Sequence, residues 1–201
     1  MIPVSHSSLF SRGFNGYAKT TGKLMGQQCI IPRTFSGFLT TMAIEIERKF
    51  LVLNDAWRAA ADPGTDYCQG YLTRVTGEGA ARCSVRVRIE GDQARLNIKS
   101  ATLGIRRREY EYLLPMADAL EILNDLTLEA VVEKTRYHVP DGQHIWEVDV
   151  FKGANAGLVV AEIELSHEDE IFERPAWLGE EVSDDPRYYN VSLASHPYKD
   201  W

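Results

Sequence analysis

The chain has no apolar run near the ~20 residues that a membrane-spanning helix needs, and no convincing secretory h-region, so neither a span nor export is expected. Its three cysteines, Cys29, Cys68 and Cys83, are odd in number and lack metal-ligand spacing. That argues against a disulfide scaffold or a zinc site, and for reduced thiols in a cytoplasmic compartment. Basic residues are outnumbered, 22 Lys and Arg against 29 Asp and Glu, and the resulting net charge of −7 disfavours a nucleic-acid surface. Internal repeats are missing too. What is present, 201 residues with 44% hydrophobic and 25% charged, is the make-up of one soluble globular domain with a real core.

Residues 1–41 lack Asp and Glu altogether while holding Arg12, Lys19, Lys23 and Arg33, and they show no sustained period. A poorly ordered leader is expected there, either a transit-like segment or the product of an upstream start codon with Met42 as the true initiator. The second reading is favoured because a strand begins directly after Met42. The remaining residues, 42–201, form the domain. Strands are expected at Ile44–Val52, Tyr67–Arg74, Arg82–Glu90, Gln93–Ser100, Ile105–Leu114, Ala130–Val139, His144–Phe151 and Leu158–Ser166. Asp55 is placed to cap a short helix over Ala56–Ala61, and Pro115 to open a second. Asp185-Pro186 is placed to start a helix reaching about Ala194.

The first strand, IEIERKFLV, sets the pattern for the rest. Residues two apart share a face of a strand, so Glu45, Glu47 and Lys49 stand on one side with Ile44, Ile46, Phe50 and Val52 behind. The same split recurs. Arg86 and Arg88 alternate with Val85, Val87 and Ile89; Asn97 and Lys99 with Leu96 and Ile98; Arg107, Glu109 and Glu111 with Tyr110 and Tyr112. Further on come Lys134 and Arg136, then Glu147 and Asp149 against Trp146, Val148 and Val150, then Glu162 and Glu164 against Ala161, Ile163 and Leu165. Eight short antiparallel strands with few helices suggest a closed or nearly closed barrel. Parity alone leaves two arrangements open, apolar within and charged without, or the reverse. Composition leans to the reverse: the polar faces are nearly all Arg, Lys, Glu and Asp, and they segregate by sign. Like charges ~4 Å apart repel by roughly 4 kcal/mol at an effective dielectric of about 20. Paired carboxylates therefore make sense beside a divalent cation, and paired Arg and Lys around a polyanion.

The run ExExK at Glu45–Lys49, followed in order by SVRVRI, NIKS, RREYEY, EKTRY, WEVDVF and VAEIEL, resembles the CYTH domain of the triphosphate tunnel metalloenzymes, closest to short single-domain bacterial-type members. The resemblance spans about Met42 to Tyr198. It implies a mainly β (α+β) fold: an eight-stranded antiparallel β-barrel tunnel with a charged interior and a few flanking helices. It also implies Mg²⁺ or Mn²⁺ and a small-molecule triphosphate substrate. Glu45, Glu47, Glu162 and Glu164 become metal ligands, and Glu109, Glu111, Glu147 and Asp149 hold a second metal or the attacking water. Arg86, Arg88, Lys99, Arg107, Lys134 and Arg136 bind phosphates. Lys49 and Tyr71 orient the nucleophilic water, with a packed aromatic as the alternative for Tyr71. Arg95 has the right parity but lies near a turn and is left out, and His138 and His144 are read as structural.

The function implied is metal-dependent hydrolysis of inorganic triphosphate. A class IV-type adenylate cyclase, a thiamine triphosphatase and a non-catalytic polyphosphate-binding module are its competitors. No nucleic-acid or membrane partner is expected, and a homodimer is left open. From the leader's composition we expect a chain lacking residues 1–41 to fold and turn over as the full chain does. Thermal melts and activity of the two side by side check this, and insolubility or a melting point many degrees lower would contradict it.

Overall fold

The computed structural model describes residues 44–75, 77–102 and 104–201, so the leader expected over 1–41 lies outside the described residues. Nine strands follow in order: β1 (Ile44–Val52), β2 (Thr65–Tyr71), β3 (Cys83–Glu90), β4 (Gln93–Ser100), β5 (Arg106–Leu114), β6 (Val132–Asp141), β7 (His144–Phe151), β8 (Val159–Glu164) and β9 (Leu178–Glu181). Among the described residues there are two α-helices, α1 (Met116–Asp125) and α2 (Asn190–Ser195). The sheet runs β5-β4-β3-β2-β6-β7-β8-β1, and β1 pairs back onto β5, closing an eight-stranded antiparallel barrel with β9 added beside β1. Closure leaves no long unpaired edge among these eight.

The barrel is apolar on its outside, and segments of the same chain cover that surface. Phe50, Trp146, Val148 and Ile163 point outward from β1, β7 and β8 and are fully buried beneath Trp57, Trp177 and Leu178. Phe50 and Trp177 each set a ring edge-on to Trp146 at 5.6 Å. On the opposite side Val87 and Ala94 meet Ala119 and Leu123 of α1. Inside one end of the barrel, Val132, Phe151 and Val160, which share the parity of the charged set, pack with Leu158 on Leu193 and Ala194 of α2.

The expected boundaries shift where side chains take over backbone roles. The first helix is a 3-10 turn, Asp55–Ala59, capped by Asn54, whose side chain accepts from Ala56 N, rather than by Asp55. Strand β2 stops at Tyr71, three residues early, because Thr73 Oγ1 takes over from the ladder: it accepts from Val85 N at 2.8 Å and donates to Cys83 O at 3.0 Å. Asp185 does cap the tail by accepting from Arg187 N, but the helix is split. Pro186–Tyr188 is 3-10, Tyr189 is extended at φ −74°, and α2 starts only afterwards. The Tyr189 hydroxyl donates to Ser183 O at 2.9 Å and holds that break. Strand β9 was not expected at all, since four residues, LGEE, carry no alternation to read.

Glycine is required at position 70, where β2 crosses the end of α1. A β-carbon there would lie 2.3 Å from Thr127 Cγ2. We therefore expect Gly70→Ala to destabilise by about 1–3 kcal/mol through overpacking. Thr127→Ser, which removes that methyl and keeps the hydroxyl bond to Leu123 O, should recover most of the loss. Urea midpoints of the single and double variants check both.

Candidate active site

Side chains of one parity from all eight barrel strands meet inside. They line an outer cavity of about 430 Å³, faced by acidic and basic groups. A second, inner cavity of about 270 Å³ is faced by Lys49, Tyr71 and Arg107 and bounded by Tyr189–Ser192 of the tail. Arg86 and Lys99 line both, and so mark where the two meet.

Register decides which charges face each other. Across β1 and β8, Glu47 stands opposite Glu164 and Lys49 opposite Glu162; across β1 and β5, Glu45 stands opposite Arg107. The Lys99 ammonium donates to both oxygens of Glu45, at 2.7 and 2.9 Å, and lies 3.2 Å from Glu109. Arg107 Nη2 lies 3.3 Å from Glu47 and 3.5 Å from Glu45. Lys49 pairs with Glu162 and lies 3.5 Å from Glu47. Arg88 reaches Glu111 at 3.1 Å. Arg136 donates to Asp149 through Nε and Nη2, each at 2.7 Å, and pairs also with Glu147 and Glu162, while Lys134 holds Asp149 from the other side.

These pairings divide the carboxylates. Burial would raise Asp149, but Arg136 and Lys134 hold it below the usual range. Glu47 is likewise held well below, against burial, by Lys49, Lys99 and Arg107. Glu45 is raised, by burial first and then by repulsion from Glu47. Glu164 is raised by burial and then by Glu147 and Glu47, and it forms no ion pair among the described residues. Carboxylates pushed up by crowding are ones that a cation would settle. Burial lowers the Lys49 ammonium, and lowers Lys134 well below its ordinary value with help from Arg136.

Two features bear on what fits inside. The Nε–H groups of Arg86, Arg88 and Arg107 are buried with no partner among the described residues. Each such donor costs about 1–3 kcal/mol until an acceptor reaches it, and phosphate oxygens are acceptors of the right charge and shape. The acidic set Glu45, Glu47, Glu162 and Glu164 is oxygen-only, the donor chemistry of a hard divalent cation. No three acidic, His or Cys residues among those described are already gathered into a metal cluster, because basic side chains hold most carboxylates individually.

All the sequence-expected positions therefore line the interior or pair with groups that do. Tyr71 is both inside the barrel and packed on Val132 and Phe151. Arg95 is held at the rim by Glu90. Tyr67, Gln69 and Asn97 also face inward; Gln69 and Asn97 are fully buried, and Asn97 donates to Glu109 at 3.0 Å and also to Glu111. Parity on β2 pointed to Tyr67 and Gln69, but uncharged residues carried no signal of their own.

The CYTH domain family model matches residues 43–196. Over 160 residues the chain is 45% identical to an inorganic triphosphatase of Acetivibrio thermocellus, covering 80% of this chain and 99% of that protein. Over 158 residues it is 39% identical to an inorganic triphosphatase of Nitrosomonas europaea, covering 75% and 96%. Among solved structures, the inorganic triphosphatase NE1496 matches with a TM-score of 0.54 at 35% identity, covering 75% of this chain and 93% of the other.

One inward-facing group titrates in an accessible window. His138 lies between Glu147, 3.7 Å from Nε2, and Asp62, 3.0 Å from Nδ1, and these carboxylates raise it from 6.5 to about 9. A raised imidazole stabilises the fold fully below pH 6.5, and the contribution fades as pH rises through about 9. We expect His138→Gln to flatten the dependence of urea midpoint on pH across that window, with wild type and variant converging on its alkaline side.

Proposed function

The chain belongs to the CYTH domain family, and from that membership we propose that it is an inorganic triphosphatase, hydrolysing tripolyphosphate to pyrophosphate and orthophosphate. The observation that carries this reading is the cavity whose buried guanidinium N–H donors have no partner among the described residues, set beside an oxygen-only group of carboxylates. A linear triphosphate with its cation presents charges complementary to both.

Arg86, Arg88, Lys99, Arg107, Lys134 and Arg136 come from four strands, β3 to β6, and hold the phosphates from several sides. Charge-assisted bonds there stabilise charge on the equatorial oxygens as the phosphoryl group transfers. The family implies a divalent cation; Glu45, Glu47, Glu162 and Glu164 suit Mg²⁺ or Mn²⁺. Bound there, such an ion supplies Lewis-acid neutralisation of the phosphate oxygens. Glu109, Glu111 and Glu147 would hold a second ion or the attacking water. Asp149, within the same set, also keeps Arg136 and Lys134 aimed at the substrate. Lys49 and Tyr71 share the inner cavity and position the water. Its oxygen attacks the terminal phosphorus in line, the bridging P–O bond breaks, and pyrophosphate leaves.

The tail contributes Tyr189–Ser192 to the lining of the second cavity. No helix among the described residues is long and apolar enough to cross a membrane. Among the described residues the thiols of Cys68 and Cys83 are unpaired, which supports a cytoplasmic setting.

Parallel assays with tripolyphosphate, ATP and thiamine triphosphate test the reading. Tripolyphosphate should exceed ATP in kcat/KM by about a hundredfold or more, roughly 2.7 kcal/mol. EDTA should abolish turnover and Mg²⁺ or Mn²⁺ restore it, and Glu45→Gln or Glu164→Gln should lose activity by orders of magnitude while the fold survives. Lys49→Ala should lower kcat more than it weakens binding. Equal turnover of ATP with release of cyclic AMP would replace this reading with a cyclase.

A further inference from the structure

Gln69 is fully buried inside the barrel, two residues before Tyr71 on the same inward face of β2. Its two amide atoms are both engaged. Oε1 accepts from Arg86 Nη1 at 3.3 Å, and Nε2 donates to the Tyr71 hydroxyl oxygen at 3.1 Å. Arg86 stands directly opposite Tyr71 in the β2–β3 register.

The polarity of this chain of bonds is settled by donor inventory. A guanidinium has five N–H donors and no acceptor, so only the carbonyl end of the amide can face Arg86. A flipped amide would set N–H against N–H. The NH₂ end is therefore left for Tyr71, and it can only donate, so the phenol oxygen is an acceptor in this contact. The phenol hydrogen cannot lie along the same line and must point elsewhere. Tyr71 lines the inner cavity together with Lys49, and the remainder of its ring is packed on Val132 and Phe151. The open direction is the cavity.

We propose that Gln69 is a positioning residue that turns the Tyr71 O–H toward the inner cavity, so that Tyr71 meets the attacking water as a hydrogen-bond donor and not as its base. This rests on the triphosphatase reading given above. A donor bond to the water's oxygen occupies one lone pair and leaves the other free to aim at phosphorus. The loss of nucleophilicity is tolerable where the transition state is loose and positioning carries most of the catalysis. Gln69 lines neither cavity and acts through Tyr71 and Arg86.

Gln69→Glu is the discriminating change, since it conserves shape and keeps a partner for Arg86. A carboxylate has no donor for the phenol oxygen, and it accepts the phenol hydrogen instead, drawing the O–H out of the cavity. With tripolyphosphate and Mg²⁺, kcat should fall about thirtyfold, some 2 kcal/mol, with a smaller change in KM. Gln69→Met, which keeps the volume and removes both bonds, should fall less, because nothing then draws the O–H out of the cavity. Added charge near Arg86 is separated from the effect on Tyr71 by a double-mutant cycle. In a Tyr71→Phe background Gln69→Glu should cost less than threefold further.

A second readout needs no turnover. The Cζ resonance of ¹³C-labelled Tyr71, assigned by its loss in Tyr71→Phe, should move in Gln69→Glu as the hydroxyl becomes a donor to the introduced carboxylate. Equal kcat in wild type and Gln69→Glu, an unchanged loss in the Tyr71→Phe background, or an unmoved Cζ resonance would each overturn the inference. A wild-type protein without tripolyphosphate turnover would instead remove the functional reading, and the Cζ shift would then decide the hydrogen-bond polarity alone.

Discussion

Mutual neutralisation of charge inside a closed barrel is the constraint on which the rest of this structure depends. Ionised side chains removed from water are tolerated only when each is paired and hydrogen-bonded. Asp149, with no exposed surface, satisfies this through Arg136 and Lys134, and Lys49 through Glu162 and Glu47. Because these partners lie on neighbouring strands, the register of the ladder is also the register of the charges. A one-residue slip of any strand would carry its whole charged set to the apolar outside.

That interior forces the hydrophobic core outward. Apart from the apolar plug of Val132, Phe151 and Val160 at one end, the interior is charged, so the apolar outer faces of β1, β7 and β8 need cover from elsewhere in the chain. The stretch after β8 supplies it with Trp177 and Leu178, the turn after β1 with Trp57, and α1 covers β3 and β4. Tyr110 and Tyr112 on β5 lie beyond that cover and stay exposed. The tail then does double duty: β9 and Trp177 lie over the outside, while Tyr189–Ser192 bound the inner cavity.

The pairings inside are uneven, and that unevenness is what gives the cavity its chemistry. Arg136 and Asp149 are tied to each other by several bonds, which fix the direction of the guanidinium. Glu45 and Glu164, raised by burial and by neighbouring carboxylates, and the unpartnered N–H groups of Arg86, Arg88 and Arg107 are the unsettled members. A polyanion accompanied by a cation would offer each of them a better partner than it has, so binding and charge relief would be one event. Neutral residues, Gln69 and Asn97, sit where charged groups need a fixed direction more than another charge.

Strand order, the alternation of charge with apolar residues and the candidate site were legible in the amino-acid sequence because they are local: a period of two assigns faces without knowledge of neighbours. Which face turned inward was not given by parity, since Ile46 and Glu47 alternate identically in either arrangement; composition leaned to the charged face and the family resemblance implied it, while physically the choice depends on closure of β1 onto β5 and on Trp57 and Trp177 arriving from distant positions to cover the outside. Helix boundaries failed where one side chain displaced another, Asn54 for Asp55, and where a tertiary bond from Tyr189 to Ser183 broke a helix that propensity alone would continue. Strand β9 exists only because the edge beside β1 was there to receive it. The residue types inside the tunnel were written in the chain; their partners, and so the split between scaffold and reactive charge, were set by register and burial, which no single stretch of sequence contains.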